Sequence, residues 1–124
     1  MKYLKNKCFQ RGLKNNGLDD EDIKVILDDI YSGRATPLGA KMYKIRGARE
    51  GRGKSGGFRS LFFWKKDELI VFCLLFAKNE RDNLSSAAHK TLKILSDVYE
   101  NLTEDEIKNE IEAKNLMEIK YEKQ

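Results

Sequence analysis

The sequence predicts an α+β fold: helices first, then an antiparallel sheet of three to four strands, then helices again toward the C-terminal end. Three observations carry this expectation. Ile23, Ile26, Leu27, Ile30 and Tyr31 recur at helical spacing and form one apolar face. Two apolar runs, 58–65 and 69–77, flank the polar turn Lys65-Lys66-Asp67-Glu68, the pattern of a β-hairpin. After Ser85, helical spacing returns with Ala88, Leu92, Leu95, Val98 and Tyr99. A chain of 124 residues with 40% apolar composition supports a single domain, 1–124, around one modest core.

The elements follow in order. Tyr3, Leu4, Cys8, Phe9 and Leu13 suit a short strand and then a short helix, closed by the turn residues Asn15-Asn16-Gly17. Asp19 can cap the next helix, whose acidic first turn complements the helix dipole, and Gly33 ends it. Residues 34–40, which hold the only proline, read as a loop. In 42–47 the strand period places Lys44 and Arg46 on one face and Tyr43 and Ile45 on the other. Residues 47–57 contain five glycines and must connect two strands. In the following strand Phe58, Ser60, Phe62 and Trp64 share one face, with Arg59, Leu61 and Phe63 on the other. Leu69–Ala77 is almost continuously apolar and should be the buried central strand. Ser85 can cap the helix after it, Thr103-Glu104-Asp105-Glu106 is a capping box, and Leu116–Tyr121 suits a last edge strand.

Charge is segregated along the chain. Residues 41–59 carry seven cations (Lys41, Lys44, Arg46, Arg49, Arg52, Lys54 and Arg59) against Glu50 alone, while 18–32 carry six acids and one lysine. A second cluster, Lys78-Asn79-Glu80-Arg81-Asp82-Asn83, follows the central strand. Cations where a sheet begins and ends suit a polyanion, whose binding would weaken steeply with salt. No apolar run approaches the ~20 residues of a membrane span, and the N-terminal residues lack the apolar core of a secretion signal. Cys8 and Cys73 belong to no metal-binding spacing, so reduced thiols in a cytoplasmic protein and no bound metal or cofactor are expected.

Several motifs have a bland and a functional reading. GRGKSGG resembles a nucleotide-binding loop, but Arg52 stands where a Walker loop has glycine, and a strand follows instead of a helix. A glycine loop whose cations clamp nucleic-acid phosphates fits better. Arg59 sits inside an apolar strand, so it either pairs with Glu80 or Asp82 across the sheet or meets an anionic ligand. His89, the only histidine, reads as part of a solvated helix face. The aromatics of 58–64 read as core, with Tyr43 and Trp64, near strand ends, the better candidates for stacking on bases. The acidic helix Asp19–Tyr31 reads as a partner contact.

Lys54-Ser55-Gly56-Gly57-Phe58-Arg59 and Phe76-Ala77-Lys78-Asn79-Glu80-Arg81-Asp82-Asn83 resemble the strand start and strand end of RelE/HigB-like toxins of bacterial type II toxin–antitoxin systems. The acidic helix and the 104–119 tail also resemble that branch, so the likeness spans nearly the whole chain. It implies a RelE-like, microbial-ribonuclease-type fold and cleavage of messenger RNA on the ribosome, with no metal. It also implies a cognate antitoxin, typically with a helix-turn-helix domain. Carried over by position, the catalytic set is Arg59, Arg46, Lys44 and Asn79, and Lys41, Arg49, Arg52, Lys54, Lys78 and Arg81 bind RNA. Better-studied members have a second arginine near Asn79 and a tyrosine or histidine near Ser85; this chain departs at both positions. That departure motivates two alternatives: a non-enzymatic relative that binds antitoxin and operator, or a ParE-like gyrase inhibitor.

Overall fold

The structure, a computed structural model, describes residues 1–47, 57–77 and 86–122. Ten elements occur among them in the order β1 (Lys2–Asn6), α1 (Lys7–Asn15), α2 (Asp20–Tyr31), β2 (Thr36–Gly39), β3 (Met42–Gly47), β4 (Phe58–Lys65), β5 (Leu69–Ala77), α3 (Ser86–Glu100), α4 (Glu104–Glu112) and β6 (Leu116–Glu118). The α+β class and every helix follow the sequence expectation. The sheet is larger than expected, with six strands in the order β2-β3-β4-β5-β1-β6. It is also mixed, because β1 pairs with β5 in parallel, from Lys2 opposite Leu69 to Lys5 opposite Phe72.

Local chemistry accounts for the boundaries. Asp19 accepts hydrogen bonds from the Glu21 and Asp22 amides while Asp22 accepts from the Asp19 amide, which closes a capping box at the start of α2. Thr103 and Glu106 do the same for α4. Gly33, with φ of 85°, takes the left-handed conformation that ends α2. The segment expected to be a loop, 34–40, contains strand β2. Its Pro37 and Gly39 suppress strand propensity, but an edge strand needs a donor on one side only and so tolerates proline.

Both faces of the sheet are buried along β4 and β5, which explains the unbroken apolar run of β5. On one face, α1 and α2 bury Phe9, Leu13, Ile23 and Leu27 against Phe62 and Phe72. On the other, α3 and α4 bury Leu92, Tyr99 and Ile107 with Met42, Leu61 and Phe63. A bulge keeps the alternation consistent: Leu61 pairs with Leu74 but Phe62 with Phe72, leaving Cys73 as the extra residue of β5. Beneath α2, the buried Lys5 is neutralised by an ion pair with Asp20.

Helix α1 lies so close to β5 that a Cβ at Gly12 would sit 2.6 Å from the Leu75 carbonyl oxygen. Gly12→Ala should therefore destabilise the protein by about 1–3 kcal/mol through overpacking, despite the ~1 kcal/mol helix preference for alanine. Urea unfolding checks this, and an unchanged midpoint would contradict the close contact.

Burial keeps the Cys73 thiol protonated, raising its pKa from 9.0 to about 12, and raises the Tyr99 phenol from 10.0 to about 12. In the unfolded chain both groups lose their protons near the ordinary values. Above about pH 9 the unfolded state therefore holds fewer protons than the folded one, and stability falls as pH rises toward about 12. Urea midpoints from about pH 8 to about pH 11 should decline, with a shallower slope in Tyr99→Phe.

Candidate active site

Strands β3 and β4 pair antiparallel with Lys44 opposite Leu61, Arg46 opposite Arg59 and Gly47 opposite Phe58. Residues directly opposite in a sheet share a face, so Arg46 and Arg59 stand side by side with Lys44 two residues along. Met42, Leu61 and Phe63 belong to this same face and are buried beneath α3 and α4. Lys44 and Arg46 are exposed and Arg59 is half-buried.

Helix α3 crosses the sheet at the far end of these strands. There the Ser96 hydroxyl donates to the Ala40 carbonyl oxygen, Lys41 pairs with Glu100 at 2.6 Å, and the Tyr99 ring packs 5.8 Å from Phe63. The Lys41 ammonium holds the Glu100 carboxyl below its ordinary pKa. Lys41 is thus placed apart from Arg46 and Arg59 and already has an acidic partner. Among the described residues, no acid forms an ion pair with Lys44, Arg46 or Arg59.

Two guanidinium groups opposite each other repel, and such pairs are destabilising in a sheet. The arrangement makes chemical sense around an anion. Arginine presents a planar fork of donors that matches phosphate oxygens, and two forks can hold one phosphate from two sides.

The remaining sequence candidates lie outside the described residues: Arg49, Arg52 and Lys54 between β3 and β4, and Lys78, Asn79 and Arg81 after β5. Ser85, Glu80 and Asp82 do as well. The described chain on either side of them ends at one place in the sheet, since Gly47 pairs with Phe58 and Phe58 with Ala77. The same pairing places Arg59 opposite both Arg46 and Phe76, so the described cation pair belongs to this end.

The proposed stacking residues fall elsewhere. Tyr43 and Trp64 lie on the opposite face, packed on each other at 5.4 Å, with Tyr43 5.6 Å from Phe62. They face away from Arg46 and Arg59 because strand alternation sends neighbouring residues to opposite faces. His89 is exposed, as its helix position suggests, but it also lines a cleft beside Met42 with Lys93. Its spacing of four from Lys93 was the sequence signal for that shared face.

The fold and the cation pair define a small α+β protein with cations gathered at one end of its sheet. The model of the RelE toxin of the RelE/RelB toxin–antitoxin system matches residues 1–119. The chain belongs to the RelE toxin family: it is the toxin of a toxin–antitoxin pair, with a cognate antitoxin as partner. No curated protein matches it. Among the described residues, no helix is long and apolar enough to cross a membrane.

Proposed function

We propose that this toxin is a cytoplasmic endoribonuclease that cuts ribosome-bound messenger RNA and so arrests translation. The observation that supports this reading most is the direct opposition of Arg46 and Arg59 on an accessible sheet face. In the proposed reaction the RNA supplies its own nucleophile. The 2′-hydroxyl attacks the neighbouring phosphorus, loses its proton, and forms a cyclic phosphate as the bond to the 5′-oxygen breaks. The leaving oxygen takes up a proton, and no metal is required.

Arg59 and Arg46 stabilise the charge that builds on the phosphate oxygens. Lys44 holds the strand in place beside them, and Asn79 orients the reacting phosphate. Orientation alone contributes up to ~7–11 kcal/mol in well-aligned reactions, which suits a site rich in cations. Arg49, Arg52, Lys54, Lys78 and Arg81 extend the contact to neighbouring phosphates. The antitoxin in this reading carries a helix-turn-helix domain, and the toxin acts as a single domain.

The test is to induce the protein in cells and map RNA ends across translated messages. New ends within coding regions that disappear when translation is blocked are the expected result. Growth arrest with unchanged RNA ends and inhibited gyrase would replace this reading with a gyrase-directed one.

A further inference from the structure

The cleft beside His89 has a volume of about 350 Å³, the lower end of the size range of small-ligand sites. Leu38, Met42 and Leu92 give it an apolar lining, which Gly39 and Ala40 complete. Its α3 wall carries His89 and Lys93, one helical turn apart and both exposed. Lys93 forms no ion pair with a described residue.

Position gives the cleft its meaning. Met42 and Lys44 lie on the same face of β3, two residues and so about 7 Å apart. The cleft therefore continues the row formed by Lys44, Arg46 and Arg59. The turn beside it is tied to α3. Ala40 and Lys41 take left-handed conformations with φ of 53° and 61°, and α3 holds that turn through Ser96 and Glu100.

We propose that this cleft is a nucleotide subsite on the RNA path, a reading that rests on the endoribonuclease function above. One base flanking the scissile phosphate enters the cleft, lies on Leu38, Met42 and Leu92, and stacks against the His89 imidazole. The adjoining phosphate meets Lys93. Unstacked bases held against rings, with phosphates on nearby cations, are the usual chemistry of single-stranded RNA recognition. The cations along this face favour a strand of phosphates over an acid-poor apolar peptide.

The probe is a length series of 2′-O-methyl RNA oligonucleotides, which lack the free nucleophile and remain uncut. Affinity is read by fluorescence anisotropy against wild type, Arg59→Ala and the double variant His89→Ala/Lys93→Ala. Both residues of the double variant are exposed, and its melting temperature should match wild type. Arg59→Ala should weaken every length. The double variant should bind the shortest oligonucleotides normally but lose roughly tenfold on those long enough to reach the cleft, the scale of one base-stacking contact. Its salt dependence on long oligonucleotides should be shallower by about 0.7, one phosphate contact on a single strand.

Wild-type affinity at all lengths in the double variant, or an equal loss at all lengths, would overturn the subsite and leave the endoribonuclease reading standing. Unchanged RNA binding with weakened antitoxin binding would assign the cleft to the antitoxin and overturn the subsite equally. If wild type binds no oligonucleotide and cuts no message on ribosomes, both readings fall together.

Discussion

Replacing Arg59 by alanine is expected to lower RNA cleavage by about 10²- to 10³-fold, the effect of removing one group that stabilises transition-state charge. Growth arrest on induction should disappear with it. The fold should survive, because like charges at directly opposed strand positions, as at Arg46 and Arg59, do not stabilise a sheet. Arg46→Gln should relieve that repulsion and raise stability by about 0.2–1 kcal/mol while reducing activity. In the double variant the gain should not be repeated, since either substitution alone removes the repelling partner. Cleavage assays on translating ribosomes and urea unfolding of the same preparations read the two effects. An Arg59→Ala toxin that leaves the same RNA ends as wild type would remove the arginine pair from the chemistry.

Phe62→Ala is expected to have the largest effect on stability. The ring is fully buried and meets Tyr43 and Phe72, each at 5.6 Å. Deleting such a side chain costs about 3–5 kcal/mol, a large share of the ~5–15 kcal/mol that holds a typical domain together. The variant should lose toxicity with Arg59 intact, by unfolding and not by losing chemistry. Phe62→Leu keeps most of the volume and should retain both fold and activity. Chemical denaturation separates this outcome from that of Arg59→Ala, and a Phe62→Ala protein with the wild-type midpoint would contradict the packing of this core.

These two residues also show what the sequence makes legible. Strand alternation assigns Phe62 to one face and Arg59 to the other, and both assignments agree with the clusters on the two faces. The opposition of Arg59 to Arg46 was not legible. A short turn sets hairpin register, but an eleven-residue glycine-rich connection, 47–57, leaves it open. Strand β2 was hidden by Pro37 and Gly39, whose local preferences point to a loop until β3 supplies a pairing partner. The parallel partner of β1 was hidden for another reason: Leu4 meets Val71 across sixty-seven positions of chain, and no local pattern encodes so distant a pairing. The cleft at His89 needed α3 and β3 brought together, which periodicity within either element cannot announce.

The place of β1 in the sheet bears on when the toxin becomes a toxin. This strand, Lys2–Asn6, sits between β5 and β6, and its Leu4 pairs with both Val71 and Glu118. Strand β1 must therefore wait for Leu69–Ala77 on one edge and for Leu116–Glu118 on the other. Pairings this remote in sequence form slowly, since the chain entropy is lost before the contacts form. During synthesis the sheet therefore stays incomplete at β1 until Leu116–Glu118 has been made. That order of pairing makes Leu116–Glu118 the segment that closes the sheet at β1.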